Sequence, residues 1–425
     1  MNILFSLILG VFAHSDELPT TLHTQMTAVS QDHGPFTSPY QGQNSLQPIH
    51  ESATSVTWTI FGGVRLFPGL EVYVNPELAG GTGLSHTEGI AGFPNGEIYR
   101  VDDPSPKWNL ARLFVKQTFG WGEDSEIFQD GKNQIADKEK VRRITVVLGK
   151  FALNDYFDNN TFSHDPRTQF LNWAFMDNAA WDYAADTRGY SWGAYLELNQ
   201  AHWTLRWATV MVPLKANQME MDKDFPVQRG DNLEYEYRYA LGERAGTARL
   251  LAYQNIANMG NYRETIDTPA AGMDITHTRG RSRKYGFGLN LEQEINANFG
   301  VFSRLGWNDG HTETWAFTEV DRTASLGGTW KGTTWKRSKD LTGIALVFNW
   351  LSDDHRDYLA NGGYGFLIGD GRLSYAPEEI AEAFYLYHLN NGLETTLDYQ
   401  FVQNPAYNSD RGPVSIIALR LHLEI

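Results

Sequence analysis

This chain of 425 residues predicts an all-β protein: a closed antiparallel transmembrane β-barrel of about sixteen strands, with eighteen as the alternative. Three observations carry the prediction. Apolar and polar residues alternate in stretch after stretch beyond Glu51; several stretches are unusually long; short tight connections alternate with long polar ones. Alternation gives a sheet two unlike faces, which suits a soluble sandwich or a barrel in lipid. Length separates the two, because crossing a bilayer takes about 9–11 tilted residues against about five or six for an ordinary strand. "NLARLFVKQTFG" (109–120), "GVFSRLGWN" (300–308) with its flanks and "SIIALRLHLEI" (415–425) reach the longer class. Aromatics also gather toward strand ends, as a membrane girdle requires. A lipid-facing sheet must close, since an open edge leaves backbone groups unsatisfied in hydrocarbon.

Taken from the start, "MNILFSLILGVFAHSDE" carries an apolar stretch, Ile3 to Ala13, followed by the small-x-small step Ala13-His14-Ser15. That pattern predicts an export signal over 1–15, although no Lys or Arg precedes it. Residues 16–55 read as an N-terminal arm at the periplasmic side, and 56–425 as the barrel. Within it, "WGAYLELN" (192–199), "HWTLRWATV" (202–210), "NLEYEYRYAL" (232–241), "KYGFGLNLEQE" (284–294) and "LETTLDYQFV" (393–402) alternate cleanly. Tight turns fall at "FPG" (67–69), "NQAH" (199–202), "GERAG" (242–246) and "NANF" (296–299). Long polar segments at 73–108, 154–190, 213–231 and 254–283 would be extracellular or inward-folded loops. In the closing strand Ile417, Leu419 and Leu421 face lipid, while Arg420, His422 and Glu424 face the lumen. An arginine turned outward at the midplane would cost about 2–4 kcal/mol, enough to fix that register.

Composition narrows the function. A formal charge of −16 argues against nucleic acid as a partner, because phosphate binding needs surplus Lys and Arg. Cysteine is absent, which removes disulfides, thiolate metal sites and cysteine nucleophiles. Beyond the N-terminus no apolar run is long enough for a membrane helix. Neither HExxH, GxSxG nor a P-loop occurs, so no metal, cofactor or covalent chemistry is expected. Carboxylate pairs are too plentiful to indicate glycoside hydrolysis.

Four segments resemble the carbohydrate-selective porins of the OprB type: "LARLFVKQTFG" (110–120), the long stretch from Gly149 to Gly193, "RDYLANGGYGFLIGDG" (356–371) and "NPAYNSDRGPV" (404–414). "PFTSPYQGQNSL" (35–46) is also similar. The resemblance implies an outer-membrane channel in lipid, monomeric or homotrimeric, that passes sugars down their gradient. The chain differs from the pattern in ending on Ile425 rather than an aromatic residue.

A sugar offers hydroxyls on its edges and C–H patches on its faces, so carboxylates, Arg and aromatic rings together form a weak, reversible passage. The loop supplies Asp155, Asp158, Arg167, Trp181, Asp182, Asp186 and Arg188 in that combination. Following the resemblance, Asp182, Asp186 and Arg188 are the favoured pore-lining set. Arg112 and Lys116 lie four apart on one strand and share a face. Arg65, Arg206, Arg304 and Arg420 join them by alternation, with Glu71, Glu197 and Glu236. The competing reading is that these charges knit the loop to the wall. Two other functions stay open at this point. One is a general or anion-preferring pore; the other is a barrel hydrolase, which needs a nucleophile and His on the lipid face.

Overall fold

The computed structural model describes residues 18–98, 104–268, 272–390 and 392–425. Among them sixteen strands close one barrel, each antiparallel to its chain neighbours. The first eight are β1 (Thr20–His33), β2 (Glu51–Phe67), β3 (Leu70–Gly81), β4 (Lys107–Phe128), β5 (Asp137–Phe151), β6 (Ser191–Asn199), β7 (Trp203–Val210) and β8 (Arg229–Leu241). The rest are β9 (Arg244–Met259), β10 (Gly280–Asn296), β11 (Phe299–Asn308), β12 (Arg322–Lys331), β13 (Leu341–Trp350), β14 (Glu378–Asn390), β15 (Leu393–Gln403) and β16 (Val414–Glu424). β16 pairs with β15 and, from Gln25↔Glu424 to His33↔Ile416, with β1. No edge is left.

The predicted register holds. Ile417, Leu419 and Leu421 are exposed on the outer face, whereas Arg420 and His422 are buried within. Leu233, Tyr235 and Tyr237 of β8 also point outward, and Glu234 and Glu236 inward. Trp58 packs 5.4 Å from Trp108 and Phe287 lies 6.1 Å from Trp307 on the outside, as parts of the aromatic girdle.

The N-terminal region departs from expectation. Residues 16–55 are not an arm at the periplasmic mouth: Thr20–His33 is wall strand β1, and Glu51–Ser55 opens β2. Segment 34–50 is a loop on the opposite, extracellular rim, where Asn44 bridges Gly369 and Arg411 donates to the Leu46 carbonyl. The physical reason is the outer face of β1: Leu22 and Met26 alternate there with Thr24, Ala28, Ser30 and Asp32, which leaves little apolar contrast to read. The expected export signal, 1–15, lies outside the described residues.

Long loops gather on one rim and mostly tight turns on the other. Several segments read as loop are strand at their ends: 73–81 belongs to β3, 229–231 to β8 and 254–259 to β9. At the β2–β3 turn Gly69 takes φ +77°, a conformation that a side chain would strain. The β4–β5 connection breaks the short-turn rule. Pairing of β4 with β3 ends at Gln117 and that of β5 with β6 at Arg143, so the two strands run on as a ribbon paired to each other.

Inside, wall carboxylates hold the loops by their backbone amides. Glu378 accepts from Ala91 (3.0 Å) and Gly92 (2.8 Å), and Glu382 from Leu171 (2.5 Å) and Asn172 (3.0 Å). Arg304 of β11 donates to Asp158 (2.8 Å) and to the carbonyls of Phe175 and Ser163. Each charge-assisted bond satisfies a loop amide or carbonyl that would otherwise be stranded away from water. The β10–β16 half of the lumen is thereby packed with loop. Open space remains against β4–β6.

Candidate functional site

That space is a cavity of about 720 Å³. Its wall is Arg112, Phe114 and Lys116 of β4, Glu139, Arg143 and Thr145 of β5, and Tyr195 and Glu197 of β6. Its roof is the edge of the inward loop: Asn154, Asp155, Tyr156, His164, Arg167 and Met176. A second cavity of about 100 Å³ lies nearer the extracellular rim, lined by Glu97, Trp173, Arg188 and Phe317 among others. Arg112, Asn154, Pro166, Arg167 and Met176 line both, which makes them the waist between the two.

The waist cations are held by carboxylates on their flanks. Arg112 meets Asp155 through two bonds, Nε–Oδ2 at 2.7 Å and Nη2–Oδ1 at 2.5 Å. The fork geometry fixes the guanidinium plane, and its Cζ stands 5.1 Å from the Tyr190 ring centre. Tyr190 in turn donates to Glu77 (3.0 Å). Asp155 keeps its position because the chain turns helically over Leu153–Asp155 and its Oδ2 also accepts from the Ala152 amide at 3.2 Å. Arg167 Nε lies 3.0 Å from Glu97 Oε1, and Glu97 takes a further hydrogen bond from the Thr57 hydroxyl. Burial raises the Glu97 carboxyl above its ordinary value despite Arg167. Burial tends to raise Asp165 too, but Arg167 and then Lys132 hold it at about 2.

Below the waist, Lys116 pairs with Glu71 (2.9 Å) and faces Glu139 (3.7 Å). Glu197 accepts from Arg206 (3.1 Å) and from the Tyr195 hydroxyl (2.8 Å). Tyr156 stacks on Tyr195 at 4.1 Å and, with Phe61 and Phe114, gives the cavity aromatic faces beside its charged edges. Five basic residues (Arg112, Lys116, Lys132, Arg143, Arg167) and four carboxylates (Glu139, Asp155, Asp165, Glu197) line it, besides His164. Positive and negative groups thus face this space in near balance.

Residues 43–424 match the carbohydrate-selective porin, OprB family. The chain belongs to that family. OprB of Pseudomonas putida, in its high-pH structure, superposes with a TM-score of 0.71 at 15% identity, covering 96% of this chain and 94% of that one. Its low-pH structure gives 0.53 at 12% identity over 96% and 93%. The outer membrane channel DcaP of Acinetobacter baumannii gives 0.53 at 8% identity over 96% and 97%. No curated protein sequence matches the chain. This carbohydrate-selective porin is a passive sugar channel of the Gram-negative outer membrane and not an enzyme.

Within the porin, the residues picked out from sequence separate into two groups. Arg112, Lys116, Asp155, Arg167 and Glu197 all line the main cavity. Arg188 lines the smaller one. Asp158, Trp181, Asp182 and Asp186 reach neither. Of the favoured set, only Arg188 borders one of these two cavities. Asp182 is fully buried, accepting from the amides of Trp315 (2.8 Å), Ala316 (2.9 Å) and Phe317 (3.0 Å). Asp186 pairs with Lys150 (3.0 Å) and accepts from Arg188 N and Tyr190 N. Asp158 is bonded to Arg304, Asn178 and Asn290. Trp181 packs between Phe157 and Tyr183 and donates to Asn232 (2.9 Å). Asp158, Trp181 and Asp186 knit the loop to the wall, and Asp182 ties it to the β11–β12 loop. Sequence reasoning missed Glu97, Asn154, His164 and Met176, which sit on loops without a readable period, and also Glu139, Arg143, Thr145 and Tyr195 of the wall strands. His422, 2.9 Å from the Thr27 hydroxyl inside the barrel, is not on the lipid face that a barrel hydrolase would use.

Proposed function

We propose that sugars pass the waist singly, oriented by the Arg112–Asp155 and Arg167–Glu97 pairs, and then enter the chamber below. Hydroxyls exchange water for the free edges of these ion pairs, while Tyr156, Tyr195 and Phe114 cover the C–H faces. The observation that supports this most is the near balance of charge around the chamber, in a chain whose net charge is −16. Interactions stay shallow, as conduction demands: a solute must be bound enough to enter and loosely enough to leave. The proposed path lies within one barrel, so association into trimers is not required for transport. The apolar belt seats the barrel in outer-membrane lipid.

A second reading, preference for small anions, draws on the two guanidinium groups at the waist and on His164. Planar-bilayer recording separates the two. For a sugar pathway, glucose or maltose reduces the ion current at fixed salt, and the reversal potential in a salt gradient stays small. A strong anion-selective potential with no block by either sugar would favour the second reading.

A further inference from the structure

The two strands of the β4–β5 ribbon do not simply hang below the barrel. Between the pairs Trp121↔Arg142 and Ser125↔Lys140, β4 advances four residues while β5 advances two. This bulge, with Gly122 at φ +86°, bends the ribbon sharply. Its tip, 129–136, then tucks back into the barrel mouth. Lys132 Nζ reaches Glu424 (2.7 Å) near the end of the chain and Gln25 (3.1 Å) on β1. Asn133 accepts from Asn75 of β3 (2.8 Å), and the Ile135 amide donates to the Tyr73 hydroxyl (3.3 Å). His23 meets Asp130 at 2.9 Å. Ile135 is buried.

Chain reversal does not need this. The β2–β3, β8–β9 and β10–β11 connections each turn within two residues between strand ends. The tip also faces the path, since Lys132, Asn133 and Gln134 line the main cavity together with Asp165 and Arg167. A solute leaving the waist meets these residues before the periplasm.

We propose that the re-entrant tip of the β4–β5 hairpin is a second sieve, on the periplasmic side of the chamber, and that Lys132 and Gln134 set the size and polarity of what leaves. The assignment rests on the path through the Arg112–Arg167 waist, and the two have separate readouts. Block of the ion current by glucose reports on the waist. Conductance and the size limit for oligosaccharides report on the tip.

Because Phe128 pairs directly with Asp137, residues 129–136 can be replaced by Asn-Gly, which closes a hairpin in two residues. In bilayers the shortened channel should conduct more, by roughly one half or beyond, since a narrow segment in series is removed. In liposome swelling, trisaccharides should gain on glucose. Glucose block should persist. A folded variant with unchanged conductance and unchanged size limit would overturn the proposal. Block lost along with the tip would overturn the waist and not the tip. If the shortened chain fails to assemble, Gln134→Cys decides: the chain has no cysteine, so a bulky thiol reagent labels one position. Current lowered by labelling supports the sieve, and current unaffected by complete labelling rejects it.

Discussion

The two halves of the barrel wall carry the same alternation and put it to opposite uses. On β4–β6 the inward charges Arg112, Lys116, Glu139 and Glu197 border a chamber of about 720 Å³. On β10–β16 the inward charges Arg304, Glu378, Glu382 and Arg420 border packed loop, and each is fully buried. Arg420 donates to the Pro166 and Gln169 carbonyls, at 2.5 and 2.9 Å, rather than to any open space. Period two therefore tells which residues point inward. It says nothing about whether water or protein meets them there.

Cutting one cation from each half should expose the difference most strongly. Arg304→Met strands the Asp158 carboxylate in a packed interior, and breaking a buried pair of this kind costs about 3–5 kcal/mol. Lys116→Met leaves the buried Glu71 with Arg65 at 2.6 Å and the Tyr73 hydroxyl at 2.6 Å, so no carboxylate is stranded and the loss should stay near that of one charge-assisted hydrogen bond, about 1.5 kcal/mol. Thermal unfolding in detergent measures both. Equal losses would erase the distinction between the halves.

Next in size is Asp182→Asn. The amide group can still accept from two of the three loop amides but turns a donor toward the third, an unsatisfied contact worth about 1–3 kcal/mol. Stability should fall while block by glucose is unchanged, because Asp182 borders neither cavity. A variant of ordinary stability that had lost its sugar block would return Asp182 to the pore.

The limits of sequence reading follow from the same contrast. β8 and β16 were legible because tyrosine or leucine alternates with charge or histidine, over Leu233–Tyr239 of β8 and Leu419–Glu424 of β16. β1 was not, since threonine, serine and aspartate share its outer face with only two large apolar side chains, Leu22 and Met26. The β4–β5 ribbon was hidden for a related reason: from Glu123 to Lys140 charges fall on both faces, as befits strands that have left the lipid. Of the waist, Arg112 showed through strand alternation. Asn154 and Met176 come from loop backbone whose path depends on distant anchors such as Glu382 holding Leu171 and Asn172. No local pattern encodes such an anchor.

Substitution at the waist sharpens the comparison from the open side. Arg167→Ala or Arg112→Ala removes a guanidinium from the border between the two cavities, so ion conductance should rise and glucose should block less. If the pair with Glu97 or Asp155 provides one oriented contact to the sugar, the concentration for half-block should rise about tenfold, equivalent to about 1.4 kcal/mol. Recording at a series of glucose concentrations checks this. Unaltered block in both variants would move recognition elsewhere in the chamber.

The smallest effect is expected from His164, on the roof between the two halves. Its Nδ1 lies 3.5 Å from Asp177 Oδ1, with Asp158 and Arg304 behind. Burial lowers its pKa and Arg304 opposes the charge, but the neighbouring Asp177 carboxylate prevails, so the imidazole titrates above its ordinary value. A raised value means the folded state favours the protonated ring. The stability it adds is present in full below about pH 6.5, the unfolded value, and is lost as pH rises through the folded one. The same proton adds a sixth positive charge to a chamber that otherwise has five basic residues against four acidic. Lowering the pH from about 9 to about 6 should thus shift the reversal potential modestly toward anions. The shift should vanish in His164→Gln. If it survives intact there, the titrating group lies elsewhere along the path, and the roof of the chamber is electrically as silent as the packed half behind it.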